Sequence, residues 1–274
     1  MVYSKLFIIL LFIMSERKHF LEPFISPKKI KPQHSVFSID LVIMLIITIA
    51  IIPPIFYNIR NKVKYPVKST LKITDYYILS IILVYLVIGV YQQYFWTKSN
   101  KLREATIMPK TIIDNIINKY FSMNSFWIYV YNLIYYLIFG FIIISIRDYK
   151  HFAIIALGAI LLLTGLSIIW YFYPNIVEER IDTNNIYLFE KTQKIDTNHN
   201  NACPSAHVVF SVYAFYLLKN VIGFFPALLF PIFISISCII TSQHVSTDVF
   251  FAIIYTILIY NFVLHKIDSK SFPL

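Results

Sequence analysis

The sequence predicts an all-α protein, a polytopic transmembrane helical bundle of about seven spans with a short apolar segment ahead of them, and three observations carry that prediction. Of its 274 residues, 58% are hydrophobic and 14% are charged, against about 25% charge in soluble domains. The mean hydropathy is +0.68, and apolar runs recur that approach the roughly 20 residues a helix needs to cross a bilayer. The short alternating segments of a membrane β-barrel are absent.

Taken in order, residues 2–14 (VYSKLFIILLFIM) form an apolar run. It has the length of a signal-peptide core but is followed by SERKH instead of a small-residue cleavage site, which predicts a short first span or a membrane-laid anchor. Residues 15–36 are polar and basic, with Pro23, Pro27 and Pro32 against helix continuation. Spans are expected at 37–58, with Pro53 and Pro54 near its end, and at 76–96. Within 100–122, Ile107, Ile112, Ile113, Ile116 and Ile117 make a partial helical stripe broken by Lys110, Asp114 and Lys119, a pattern that suits a helix lying in the membrane interface. Further spans are expected at 125–146 and 150–172, the latter with Gly158, Thr164, Gly165 and Ser167 for close helix contact. A polar loop over 173–205 precedes the last three spans, at 206–222, 223–242 and 245–264. Pro226 and Pro231 interrupt the middle one, which a packed bundle tolerates. The expected division is an N-terminal segment and linker (1–36), accessory spans with the interfacial segment (37–122), a second membrane domain (123–266) and a tail (267–274).

The net charge of +10 lies largely in loops between spans, where anionic lipid headgroups account for it better than nucleic acid. No zinc finger or strand–helix nucleotide motif is present, and Cys203 and Cys238 are too few for a disulfide framework, though one bridge between them is open. Lysine and arginine bias sets orientation. With the 173–205 loop outside, Arg147, Lys150, Lys219, Lys266, Lys270 and the basic residues of 60–72 fall inside, whereas the basic loops at 15–36 and 98–119 fall outside against the rule. The balance predicts an external active face, with the plasma membrane as the expected location. Nothing in the pattern specifies an oligomeric state.

Two polar clusters interrupt the apolar second half, CPSAH at Cys203–His207 and QHVSTD at Gln243–Asp248. Ionisable groups at such depth are costly and point to function. Pro204 and Ser205 suit a helix start, with Ser205 as cap and His207 in the first turn. Backbone N–H groups exposed there form an anion site, so a phosphoryl group held at that end would lie beside an imidazole. His244 and Asp248 are four apart and share a face on a helix. A carboxylate there can fix the ring tautomer, as a histidine nucleophile requires. His207 could protonate the leaving oxygen and later activate water. A metal reading is also open: His199, Cys203 and His207 are spaced by four and Asp248 could join them, although Pro204 opposes one continuous helix.

These residues resemble the type 2 phosphatidic acid phosphatase (PAP2) superfamily. CPSAH looks like its central PSGH-type motif, and QHVSTD resembles its third motif, with histidine and aspartate separated by three residues. The longer stretches DTNHNNACPSAHVVFS and TSQHVSTDVFFA look closest to the branch of bacterial PAP2-like proteins and inositol phosphorylceramide synthase-like enzymes, and the likeness covers roughly 125–264. The resemblance implies a bundle of the PAP2 type in which His244 takes the phosphoryl group as phosphohistidine, Asp248 orients it, His207 is the general acid and Ser205 contacts phosphate oxygens, with no metal and no cofactor.

The chain departs from the family pattern in three places. Cys238 stands six residues before His244, where the family has the arginine of a Ser-Arg pair, and cysteine offers no planar cationic fork to phosphate. Ala206 replaces the glycine before the motif histidine. The first motif is reduced to YFYPNIVEER, in which Arg180 is the best-matched phosphate ligand, its alternative an ordinary loop pairing with Glu178 or Glu179. Lys191 and Lys194 are further candidates for the phosphate. The expected function is an integral-membrane lipid phosphatase acting on a phospholipid or polyprenyl phosphate. The alternatives are a phosphotransferase that moves a phosphorylated headgroup between lipids, and a catalytically degenerate, non-enzymatic relative. A transporter is a weaker third class, since no inverted repeat is seen.

Overall fold

The structure is a computed structural model and describes residues 28–29, 70–90, 104–121, 126–127, 130–131, 142, 145–177 and 201–261. The expected segments at 2–14 and 37–58 lie outside the described residues, and of 125–146 only a few positions are described. The described part is mostly helical, with a small sheet. Its elements are β1 (Lys28–Lys29), α1 (Ile73–Val90), β2 (Glu104–Met108), α2 (Ile112–Tyr120), α3 (Tyr149–Phe172), β3 (Asn175–Val177), α4 (Ala206–Leu218), α5 (Phe224–Ile240) and α6 (Ser246–Ile259).

Local chemistry explains most of the boundaries. Asp148 caps α3 by accepting from the His151 N–H at 2.8 Å, and Pro174 follows the C-cap residue Tyr173, where a helix cannot continue. Asp75 accepts from the Lys72 N–H at 2.7 Å at the start of α1. α2 begins with a capping box: Thr111 Oγ1 accepts from the amides of Ile113 and Asp114, and Asp114 reaches back to the Thr111 N–H. Between α4 and α5 the chain turns through Gly223 at φ +96°, a left-handed conformation that only glycine adopts without strain. Pro226 sits in the first turn of α5, where its missing N–H costs nothing, and Pro231 lies inside that helix, which nonetheless runs unbroken.

Among the described residues, α3 is the one helix long and apolar enough to cross a membrane, while α4, α5 and α6 are apolar helices of 13, 17 and 14 residues. α4 and α5 are shorter than the expected 206–222 and 223–242, because the turn at 219–223 and the residues Thr241 and Ser242 are cut from those runs, while the end of the expected 245–264 lies outside the described residues. The α3 boundaries agree with the expected 150–172.

α3 and α4 run antiparallel. Trp170 Nε1 donates to the Pro204 carbonyl near one end, and Tyr213 Oη donates to the Ile155 carbonyl nearer the other. α1 starts beside the start of α3, where the Thr70 N–H donates to the Arg147 carbonyl and Tyr149 Oη to Asp75 Oδ1. The main core runs between them, through Leu162, Leu166, Val208, Val209, Ala214, Ile234 and Ala252. The small residues of α3 contribute as expected at Gly165: a Cβ there would collide with Tyr255 Oη, which donates to the Leu162 carbonyl at 2.8 Å.

The sheet is the main departure from an all-α reading. Its order is β1-β2-β3, with β1 antiparallel to β2 and β2 parallel to β3 in the register Thr106 to Asn175, Ile107 to Ile176 and Met108 to Val177. Ile107 therefore belongs to a strand and not to the helical stripe, which starts at Ile112. Strands of two, five and three residues drawn from distant parts of the chain are too short to carry an alternating pattern. The sheet has its own small core of Met108, Val177, Ala202, Cys203 and Val245, so it props the two loops that lead into α4 and α6.

Candidate active site

Those two loops meet at one end of the bundle. The first, residues 201–205, is held from β3 by Asn175. Its side-chain Nδ2 donates to the carbonyls of Tyr173 (2.8 Å) and Cys203 (3.0 Å), its Oδ1 accepts from the Cys203 N–H, and its own carbonyl accepts from the Ala202 N–H at 3.2 Å. The second, residues 241–245, turns through Ser242 at φ 51° and is tied down where the amides of Gln243 and His244 both donate to the Cys238 carbonyl, at 3.1 and 3.2 Å. The loops are joined to each other by the Ser205 N–H, which donates to the Asp248 carbonyl at 3.4 Å.

This brings His207 and His244 to a ring-centroid separation of 6.0 Å with the planes inclined at 58°. His244 is buried at 8% exposure and His207 is partly exposed. His244 Nδ1 lies 2.8 Å from the Ala202 carbonyl. A carbonyl can only accept, so Nδ1 carries a proton, and in the neutral ring Nε2 then holds the lone pair. His207 Nδ1 is 3.3 Å from Tyr131 Oη, and the two rings lie 4.4 Å apart at 32°.

The relation of His244 to Asp248 differs from the expected shared helical face. His244 precedes α6 and sits in the loop, with Val245 as the N-cap residue. Asp248 Oδ2 is 3.6 Å from His244 Nδ1 and accepts from the Val245 N–H at 3.1 Å, so it caps its own helix first and stands beside the imidazole second. Ser205 is the N-cap residue of α4 as expected, but its hydroxyl makes no capping bond. Two fully buried polar atoms at this spot, Ser205 Oγ and Asp248 Oδ1, have no hydrogen-bond partner. Each such atom costs about 1–3 kcal/mol, a cost that folds retain where a group serves a ligand.

Cys238 is fully buried beside Ser205 and Asp248, and it forms no disulfide with Cys203, so the open bridge between them is not formed. Arg180, Lys191, Lys194 and His199 lie outside the described residues. Among the described residues no lysine or arginine pairs with His244 or Asp248, and no cluster of three His, Cys, Asp or Glu side chains is set to hold a metal.

Three residues that frame the site are not assigned by the sequence alone. Tyr131 and Asn175 carry no local signal, because their partners are 76 and 28 positions away. Asp114 stands in the sequence as a break in an apolar stripe, and its capping-box spacing from Thr111 is the local signal for it. Chemically, the arrangement offers two imidazoles with ring centroids 6.0 Å apart, close enough for both to reach one small ligand. The first-turn amides of α4 lie beside them with no acceptor inside their own helix. In comparisons with known proteins, no family, curated sequence or solved structure matches this chain.

Proposed function

We propose that the chain is an integral-membrane lipid phosphatase of the PAP2 type, acting on a phospholipid or polyprenyl phosphate through a phosphohistidine. The observation that carries the reading is the convergence of His207 and His244 at 6.0 Å, with His244 Nδ1 committed to the Ala202 carbonyl. His244 Nε2 attacks phosphorus and the bond from phosphorus to the lipid oxygen breaks, while His207 gives its proton to that oxygen. Water then attacks the phosphohistidine, His207 takes a proton from it, and inorganic phosphate leaves as the nitrogen–phosphorus bond breaks. Asp248, 3.6 Å from Nδ1, stabilises the cationic ring of the intermediate. Ser205 Oγ, buried without a partner, supplies a donor to phosphate oxygens. Arg180, Lys191 and Lys194 are the proposed cations of the loop that leads to this end.

The finer topology, a seven-span bundle in the plasma membrane with its active face outside, belongs to the same proposal. α3 and the shorter apolar helices support it. So does α2, which exposes Ile112, Ile113, Ile116 and Tyr120 beside Lys119, as a helix lying among headgroups would. Transfer of a phosphorylated headgroup to another lipid uses the same histidines with an alcohol in place of water. A degenerate, non-enzymatic relative is favoured by one observation, the buried Cys238 in place of an arginine.

Purified protein reconstituted in vesicles with phosphatidic acid and excess chelator is expected to release inorganic phosphate, and His244→Ala to lower the rate by about a thousandfold or more. Release that survives His244→Ala defeats the nucleophile assignment, and absence of release with either water or a diacylglycerol or ceramide acceptor supports the degenerate reading.

A further inference from the structure

α2 is built inside out. Of its nine residues only Asp114 is buried, at 1% exposure, while Ile112, Ile113 and Ile116 are exposed. An amphipathic helix docked by the hydrophobic effect does the reverse. Ile117 is partly buried against the main core, and the start of α2 is held to the bundle by polar bonds. Asp114 Oδ1 accepts from the Ser246 N–H at 2.7 Å, and Oδ2 accepts from Ser246 Oγ at 3.1 Å and from the Thr111 N–H at 2.6 Å. The hydroxyls of Thr111 and Ser246 share a further bond of 2.6 Å.

Ser246 is the first residue of α6, and its N–H is one of the amides that a helix start leaves without an intrahelical acceptor. Asp114, 132 positions away in sequence, takes that amide. The neighbouring amide of Val245 is taken by Asp248 of the same helix. One turn of chain thus has its amides fixed by two carboxylates, one local and one from α2, with the dipole of α6 favouring both. His244 lies two positions before Ser246 and Asp248 two positions after it.

We propose that Asp114 is a positioning residue for the histidine site: by holding the first turn of α6 it fixes the 241–245 loop, and with it the direction of His244 toward His207. The proposal rests on the reading of His244 and His207 as the reacting pair, but its structural half stands by itself. Asp114 touches neither imidazole and acts through Ser246. It lies outside the 125–264 stretch in which the motifs were found, so the site includes a residue from the accessory part of the chain.

The test uses the full-length protein in phosphatidic acid-containing nanodiscs and reads each histidine separately, by mass spectrometry after timed diethyl pyrocarbonate treatment. Asp114→Ala is expected to raise the modification rate of His244 about tenfold, as local opening of the loop does, and to leave His151, at the other end of α3, unchanged. Asp114→Asn keeps an oxygen for the Ser246 N–H and is expected to recover most of the protection. Ser246→Ala, which removes the hydroxyl bonds alone, is expected to give an intermediate rate. With phosphatidic acid as substrate, Asp114→Ala is expected to lower kcat more than it raises KM. An unchanged His244 rate in Asp114→Ala overturns the proposal, as does an equal rise at His244 and His151, which marks general unfolding. A wild-type protein that releases no phosphate defeats the enzymatic reading alone, since the modification rates still decide the role of Asp114.

Discussion

The two ends of the bundle use the same residue types under different conditions. At the end where α1 and α3 begin, Asp75 and Asp148 bond to the Lys72 and His151 amides, and His151 accepts from the Arg147 N–H and Nε. Asp75 and Asp148 there are at least partly exposed, and Asp75 is also bonded by the exposed Tyr149 hydroxyl. At the end where α4 and α6 begin, Asp114 and Asp248 also serve helix starts, but both are buried, and two histidines face each other across 6.0 Å. Two polar atoms at that end are left without partners. Capping alone accounts for the first end. It leaves Ser205 Oγ, Asp248 Oδ1 and the His207–His244 pair of the second end unexplained, and those are the groups a phosphoryl substrate would engage.

The sharpest way to break this comparison is to remove one histidine from each end in turn. His207→Ala is expected to lower phosphate release by about a hundredfold to ten-thousandfold, the range of a lost general acid. His151→Ala is expected to stay within about twofold, since His151 serves a helix start far from the site. Equal losses in a lipid-phosphate assay would mean that the ends do not differ in function.

A smaller effect tests the loop support. Asn175→Ala removes three side-chain bonds to the chain around Tyr173 and Cys203, which leaves buried backbone groups unpaired at about 1–3 kcal/mol each. Lower thermal stability in detergent and reduced phosphate release are both expected. Wild-type behaviour in both would show that the sheet does not hold the first loop.

The smallest effect belongs to the far end. The Tyr149 hydroxyl and the Lys72 amide hold the Asp75 carboxyl below its ordinary pKa. A depressed carboxyl contributes stability that is fully present above its unfolded-state value and is lost as pH falls through the folded value. Asp75→Asn is therefore expected to lower the melting temperature slightly at neutral pH, with the difference from wild type vanishing in strong acid. Because the pair is solvent-exposed, phosphate release should not change. A large activity loss in this variant would couple the two ends.

The legible part of the molecule was that written in contiguous residues. The α3 helix follows from an unbroken apolar run, and the starts of α4 and α6 follow from Pro204, Ser205 and the CPSAH and QHVSTD clusters. The candidate pair His207 and His244 was also legible, because polar residues stand out at the edges of apolar helices. The sheet was not, since its strands are too short to show a period and pair across some 70 positions or more. The lengths of α4 and α5 were overestimated because the expected spans took in turn residues, Lys219 to Ile222 in one and Thr241 and Ser242 in the other, where the chain reverses.

By itself, then, the sequence determined where helices can start, which residues are too polar to be there by chance, and that His244 and Asp248 are near neighbours. Only the tertiary structure decided how those groups are used. It gave His244 Nδ1 to the Ala202 carbonyl, left the Ser205 hydroxyl unpaired instead of capping α4, and brought Asp114, Tyr131 and Asn175 to the site. The reason is physical: a buried donor or acceptor must take whichever partner packing brings within about 3 Å, and that partner is set by how helices and loops meet, not by distance along the chain.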